Sequence, residues 1–225
     1  MMSTRQVIVV ALIALAVKWF LNPPFLRLSF LDSTEKIVKG SRVIVTGASL
    51  GIGKSLAIEF ARLGAKDIVI ASRSLPKLNE VKDIIIKSGF QGNIYPIAVD
   101  LSTNEASVEL VEKSLALMGG LDYLILNHIT KSRFGTWLVD NKNAEGNHDF
   151  IKEMFAVNTF SYMWTATAAM DALKASNGAI AVVSSLAGIA MHTHVRWQSV
   201  VLKLEIKHLQ RFNGHKRIAV ILLSH

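Results

Sequence analysis

The chain has 225 residues, 51% of them hydrophobic and 19% charged, with no cysteine and a formal charge of +8. That composition excludes a disordered chain, a disulfide framework and a thiolate metal site, and it suits one α/β domain with a sizeable core. A mean hydropathy of +0.36 adds an expectation of membrane contact.

The N-terminal stretch carries that expectation. Residues 7–17, VIVVALIALAV, form an unbroken apolar run that Lys18 interrupts and Trp19, Phe20 and Leu21 continue. A span needs roughly 17–25 residues, so this run is short but within range. Asn-Pro-Pro at 22–24 separates it from the rest. We expect residues 1–24 to form a membrane signal-anchor, with Lys18, Trp19 and Phe20 at the interface.

A regular alternation follows. RVIVTG (42–47) reads as a buried strand, and GKSLAIEFARLGA (53–65) as a helix that is apolar at Leu56, Ala57, Phe60 and Leu63. DIVIAS (67–72) is a strand, LPKLNEVKDIIIKSG (75–89) a helix and IYPIAVD (94–100) a strand. TNEASVELVEKSLALMG (103–119) is a helix capped by Ser102 or Thr103, and LDYLILN (121–127) is a strand. A loop rich in Asn, Lys and Gly over 130–148 precedes one long helix over 149–176 and a fifth strand, AIAVVSS (179–185). Strands of continuous apolar residues alternating with helices predict a parallel sheet covered on both faces, a doubly wound α/β Rossmann-type fold.

Composition changes after Gly188. Between Arg196 and Arg217 there are six basic residues and one acid, Glu205, so most of the surplus charge lies there. Five of the seven histidines also lie beyond residue 190. Trp197, Val200, Val201 and Leu204 have helical spacing, with Lys203, Lys207 and Arg211 as a basic face. RIAVILL (217–223) reads as a sixth strand. The expected organisation is an anchor over 1–24, a nucleotide-binding domain over 36–190 and a divergent tail over 191–225.

TGASLGIG (46–53) joins the first strand to the first helix. Glycines at 47, 51 and 53 permit a tight turn and let backbone N–H groups approach a pyrophosphate at a helix N-terminus. An acid at the end of the second strand would bind the ribose 2′-hydroxyl of NAD. Ser72, Arg73 and Ser74 stand there instead, and a guanidinium forks onto a 2′-phosphate, so NADP is the expected cofactor.

VIVTGASLGIG (43–53), ASRS (71–74), MGGLDYLILNHIT (118–130), FAVNTFSY (155–162) and LKASNGAIAVVSSLAG (173–188) together resemble the short-chain dehydrogenase/reductase family. Within it they resemble the membrane-anchored 11-beta-hydroxysteroid dehydrogenase type 1 group. The resemblance covers residues 38–188. It implies that Gly47, Ser49, Gly51, Ile52 and Gly53 cradle the cofactor phosphates and that Arg73 and Ser74 take the 2′-phosphate. Asp100 and Leu101 would flank the adenine, and Asn127, His128 and Ile129 would line the cofactor cleft. Asn158 would hold a water of the proton relay, and Ser185 would hydrogen-bond the reacting oxygen. No metal is implied.

The resemblance also implies a Tyr-x-x-x-Lys on the next helix, where the tyrosine is the general acid and the lysine lowers its pKa. Gln198 and Leu202 stand at those positions, and the three tyrosines, Tyr95, Tyr123 and Tyr162, all precede Ser185. His192 with Arg196, or Lys203, would be weak substitutes. The shift after Gly188, and an end at His225 short of the family's substrate-covering segment, are expected from an alternative isoform, a mistaken gene model or a decayed duplicate. The implied function is hydride transfer between NADP(H) and a steroid or similar lipophilic alcohol or ketone, impaired in this chain. The alternative is a cofactor-binding pseudoenzyme acting as a regulatory dimer partner. The implied partners are a steroid-like substrate, a membrane and a second copy of the chain, with no nucleic acid. The implied location is the endoplasmic reticulum.

Overall fold

A computed structural model of the chain describes residues 35–130, 144–185 and 218–223, the side chains at 144–148, 184–185 and 218–223 excepted. The anchor expected at 1–24 and the tail positions Gln198, Leu202, Lys203, His192 and Arg196 lie outside the described residues. Among the described residues no helix is long and apolar enough to cross a membrane.

After a helical turn at 35–38, strands and helices alternate: β1 (Arg42–Thr46), α1 (Gly51–Arg62), β2 (Asp67–Ser72), α2 (Leu75–Lys87), β3 (Asn93–Ala98), α3 (Asn104–Met118) and β4 (Tyr123–Leu126). Then come α4 (Ala144–Phe155), a π-helical turn (Ala156–Phe160), α5 (Ser161–Ala175), β5 (Ala179–Ser185) and β6 (Ile218–Leu223). The six strands form one sheet in the order β3-β2-β1-β4-β5-β6. All five pairings are parallel.

The strand period of two builds both halves of the core. Val43 and Val45 of β1, Ile68 and Ile70 of β2, Tyr123 and Ile125 of β4, and Ala181 and Val183 of β5 face α1 and α2, where Leu56, Phe60, Leu78 and Ile85 meet them. Ile44, Val69, Leu124, Leu126, Ile180 and Val182 face the other way onto Leu110, Val111, Tyr162, Ala166 and Leu173 of α3 and α5. The helix face expected at Leu56, Ala57, Phe60 and Leu63 is buried throughout. Thr103 caps α3 by accepting the Ala106 N–H at 3.2 Å, so of the two candidate caps it is the second that acts.

Two expectations change. The helix expected over 149–176 starts at Ala144, inside the stretch read as loop, because AEGNH has no apolar periodicity to mark it. It is also interrupted by the π-helical turn at Ala156–Phe160, a one-residue widening that leaves a continuous helical pattern in the sequence.

At the N-terminal edge of the sheet Arg42 binds the next strand of the sheet. Its backbone N–H and Nε both donate to Asp122 Oδ2 at 2.9 Å, Nη2 donates to Oδ1 at 3.2 Å and Nη1 donates to Gly119 O at 3.1 Å. The Asp122 hydrogen bond holds the guanidinium pKa above its ordinary value against the effect of burial. Both side chains are only 25% exposed, so the pair is better shielded than a surface ion pair. Arg42→Ala is therefore expected to lower stability by about 1–2 kcal/mol, read as a shift of the urea midpoint.

Candidate functional site

The strand order reverses direction between β1 and β4, and there the carboxyl ends of adjacent strands diverge into a crevice. The turn after β1 and the loop after β4 meet in it. Gly47 has φ +64° and Gly51 φ +56°, the left-handed region that a side chain disfavours. A Cβ on Gly47 would lie 2.8 Å from His128 Cα, and one on Gly53 would lie 2.3 Å from the Gly47 carbonyl oxygen and 2.5 Å from Asn127 Nδ2. Glycine at 47 and 53 is thus required by close approach, whereas a Cβ on Gly51 would enter open space.

The opening of α1 fits an anion. Leu50 at its N-cap supplies no side-chain bond, and no acid stands in the first turn. The partial positive charge of the helix end is left to whatever sits above the exposed Gly51. Ser49 and Ile52 are half-buried on the same turn.

The other residues singled out in the sequence come to the same edge. Arg73 is exposed just beyond β2, and the half-buried Ser74 donates its N–H to Ser72 Oγ at 3.3 Å. Asp100, beyond β3, is exposed and accepts the Ser102 N–H at 3.2 Å. Leu101 is turned inward and only 5% exposed, a member of the core beneath α3 and α5. Ile129 is 63% exposed at the mouth of the crevice. Asn127 donates from Nδ2 to Gly47 O at 3.3 Å, tying the β4 loop to the turn. Ser185 is the last residue of β5 and pairs with Leu223 of β6.

His128 differs from its expected place. Its ring is buried beneath the crevice rather than along it. Nδ1 lies 2.8 Å from Thr46 Oγ1 and Nε2 lies 2.6 Å from Ser161 Oγ. The ring packs against Tyr162 with centroids 4.5 Å apart and planes tilted by 40°, and the Tyr162 hydroxyl donates to the His128 carbonyl at 2.7 Å. Burial pushes the imidazole pKa down to about 3; the Val157 carbonyl opposes that shift and the Arg73 guanidinium adds to it. Burial pushes the Tyr162 phenol up.

Asn158 sits in the π-helical turn, 4% exposed. Its Oδ1 accepts the Thr130 N–H at 2.8 Å, and Thr130 Oγ1 donates to Glu153 Oε1 at 2.7 Å. Its Nδ2 is buried without a partner among the described residues. Sequence reading missed Thr46, Thr130, Ser161 and Tyr162 as parts of the site. The available signal was Thr46 adjoining the first glycine and Ser-Tyr following the Asn158 turn; their meeting at His128 is a tertiary fact.

The short chain dehydrogenase domain matches residues 41–197. The Hydroxysteroid 11-beta-dehydrogenase 1-like protein of Danio rerio is 40% identical over 163 residues, covering 72% of this chain and 53% of that protein. Its Xenopus tropicalis namesake is 38% identical over 161 residues, covering 72% of this chain and 52% of that one. The chain spans about half the length of these curated relatives. A metagenomic short-chain oxidoreductase solved in complex with NADP matches with TM-score 0.70 and 28% identity, over 84% of this chain and 83% of that one.

Two outcomes are expected. Gly53→Ala should destabilise by about 3 kcal/mol or more, because the backbone itself must shift, whereas Gly51→Ala should cost only about 1 kcal/mol of left-handed strain; urea unfolding of both variants checks the order. His128 binds its proton less readily when folded than when unfolded. Its contribution is complete above the ordinary histidine value and declines as pH falls from about 6.5 towards 3. Stability should fall on that limb with a slope approaching about 1.4 kcal/mol per pH unit from this residue, and His128→Asn should flatten it.

Proposed function

Because the chain belongs to the short-chain dehydrogenase family, we propose that it holds NADP(H) across the carboxyl edge of its sheet and serves oxidoreductase chemistry on a steroid or similarly lipophilic alcohol or ketone. One observation carries this reading. The close-packed glycine turn opens α1 at the strand-order reversal, with Arg73 and no acid at the end of β2.

Gly47, Ser49, Gly51, Ile52 and Gly53 hold the pyrophosphate with backbone N–H groups and the helix end. Arg73 and Ser74 take the 2′-phosphate. Asp100 and the edge of Leu101 flank the adenine. Asn127, Ile129 and the His128 backbone line the nicotinamide side. The bound cofactor supplies the hydride donor or acceptor. Ser185 donates a hydrogen bond to the reacting oxygen and polarises it. A buried donor without an acceptor costs about 1–3 kcal/mol, and a water on Asn158 Nδ2 would relieve that cost and hold a proton carrier near the crevice.

A second reading is favoured by Gln198 and Leu202, which stand where the family resemblance gives the general acid and its lysine. A carboxamide does not titrate near neutral pH, so the chain keeps a cofactor cleft without the proton donor. In that reading it is a cofactor-binding pseudoenzyme or the regulatory partner in a dimer. The apolar run at 7–21 supports attachment to a membrane, and the resemblance points to the endoplasmic reticulum.

NADPH is expected to bind more tightly than NADH, and Arg73→Ala should weaken NADPH about tenfold or more, the equivalent of a charged hydrogen bond of about 1.5–3 kcal/mol; fluorescence titration that finds equal affinities defeats the cofactor assignment. General acid catalysis typically contributes about 10²–10⁴-fold, so NADPH-dependent reduction of a steroid ketone is expected to be slower by at least that factor than in relatives with the tyrosine. Rapid NADPH consumption by the unmodified chain would refute the pseudoenzyme reading.

A further inference from the structure

The contacts around His128 do not balance for a neutral ring. Thr46 Oγ1 donates to Ile125 O at 3.1 Å and Ser161 Oγ donates to Val157 O at 2.6 Å. With both hydroxyl protons so used, each ring nitrogen would have to donate to its hydroxyl. A neutral imidazole carries one N–H, not two. One hydroxyl must therefore turn its proton onto the ring and release its backbone carbonyl. If Nδ1 carries the proton, Ser161 turns its hydroxyl proton from Val157 O to Nε2. If Nε2 carries it, Thr46 turns its hydroxyl proton from Ile125 O to Nδ1.

The two ends of this chain of bonds differ in what they support. Thr46 immediately precedes Gly47 and also accepts the Asn127 N–H at 3.0 Å. Ser161 immediately follows the π-helical turn, and Val157, its acceptor, adjoins Asn158 inside that turn. The imidazole is hydrogen-bonded to both hydroxyls, and His128 is 8% exposed, so water does not compete for either contact. Tyr162 holds the ring by a tilted ring contact and by its bond to the His128 carbonyl.

We propose that His128 is a positioning residue, a strut joining the glycine turn after β1 to the π-helical turn that carries Asn158, so that a nucleotide seated on the first turn stiffens the second. The proposal rests on the reading of the 47–53 turn as a cofactor site. Nucleotide contact with the turn fixes the Thr46 hydroxyl, which selects one ring tautomer. That choice decides whether Ser161 remains bonded to Val157 O. The charged and titratable groups facing the ring are Arg73 and Tyr162; burial and Arg73 both keep the ring neutral at physiological pH.

The test uses hydrogen exchange of the full chain with and without NADPH, followed in peptides spanning 156–162. The expected result is slowing of about fivefold or more on NADPH addition in the unmodified chain, the lower end of ordinary coupling between sites. Ser161→Ala and His128→Asn each cut the strut at Nε2; asparagine still reaches Thr46, as Nδ1 does. Ser161→Ala should still show NADPH-induced protection over 46–54 and none over 156–162, and His128→Asn should show none over 156–162. Protection that persists over 156–162 in His128→Asn overturns the proposal. So does loss of protection over both segments together in Ser161→Ala, which is what a merely structural role gives. An unmodified chain that shows no NADPH protection at 46–54 defeats the cofactor reading itself, whereas protection at 46–54 alone leaves that reading standing and overturns the strut. Imidazole nitrogen shifts give an independent arm. The signal absent from His128→Asn should report one protonated nitrogen from pH 5 to 8 and change tautomer population with NADPH. A doubly protonated ring at pH 6, or a tautomer population indifferent to NADPH, counts against the strut.

Discussion

Thr46 closes β1 with a hydroxyl that serves three neighbours from β4 and its loop: the Ile125 carbonyl, the Asn127 N–H and the His128 ring. β1 and β4 are the strands on either side of the reversal in strand order, and their carboxyl ends would otherwise part there. One buried hydroxyl instead holds the loop after β4 against the turn after β1. The approach is so close that positions 47 and 53 admit no side chain. Every other element of the crevice is placed relative to that contact: α1 by the turn, Asn127 and Ile129 by the loop, and α5 through Ser161 and Tyr162.

The sheet makes this possible because it is entirely parallel and carries helices on both faces. Each strand contributes to two cores at once, so a strand cannot slide by one residue without turning both sets of side chains the wrong way. The carboxyl ends are therefore held in register by apolar packing far from the crevice. At the opposite edge the Arg42–Asp122 contact fixes β1 against β4 from below, and the Asp122 carbonyl accepts the Ala179 N–H at the start of β5. The crevice is rigid because it is clamped at both ends of the same pair of strands.

Much of this was legible in the chain itself. Continuous apolar runs such as VIVT and DIVIA can be satisfied only by burial on both faces, which is why a parallel sheet covered by helices could be anticipated. The glycine turn was legible because a strand, three glycines and a helix occur in immediate succession. What could not be read was the direction of individual side chains. Leu101 and His128 stand among crevice residues in sequence, yet both turn inward, because their neighbours across the fold are apolar or hydroxyl-bearing rather than solvent. The destination of His128 depends on Thr46 and Ser161, which no short-range pattern connects to it. The π-helical turn was invisible for a different reason: widening a helix by one residue changes hydrogen bonding, not composition.

That widening has an effect on tolerance to insertion and deletion. A helix turns by about 100° for each residue. A one-residue widening absorbs its extra residue locally, so removing one residue from Ala156–Phe160 would restore a regular helix with α5 close to its present rotation, whereas removing one from the regular turns of α5 would rotate all that follows by that angle. A residue lost at 163–165 would bring the exposed Thr167 into the buried place of Ala166 and turn Ala169 and Leu173 partly out of theirs. The π-helical turn, rather than the regular helix after it, is where the chain has freedom to change its length. Lineages of this protein should lose or gain a residue at that turn more readily than within α5.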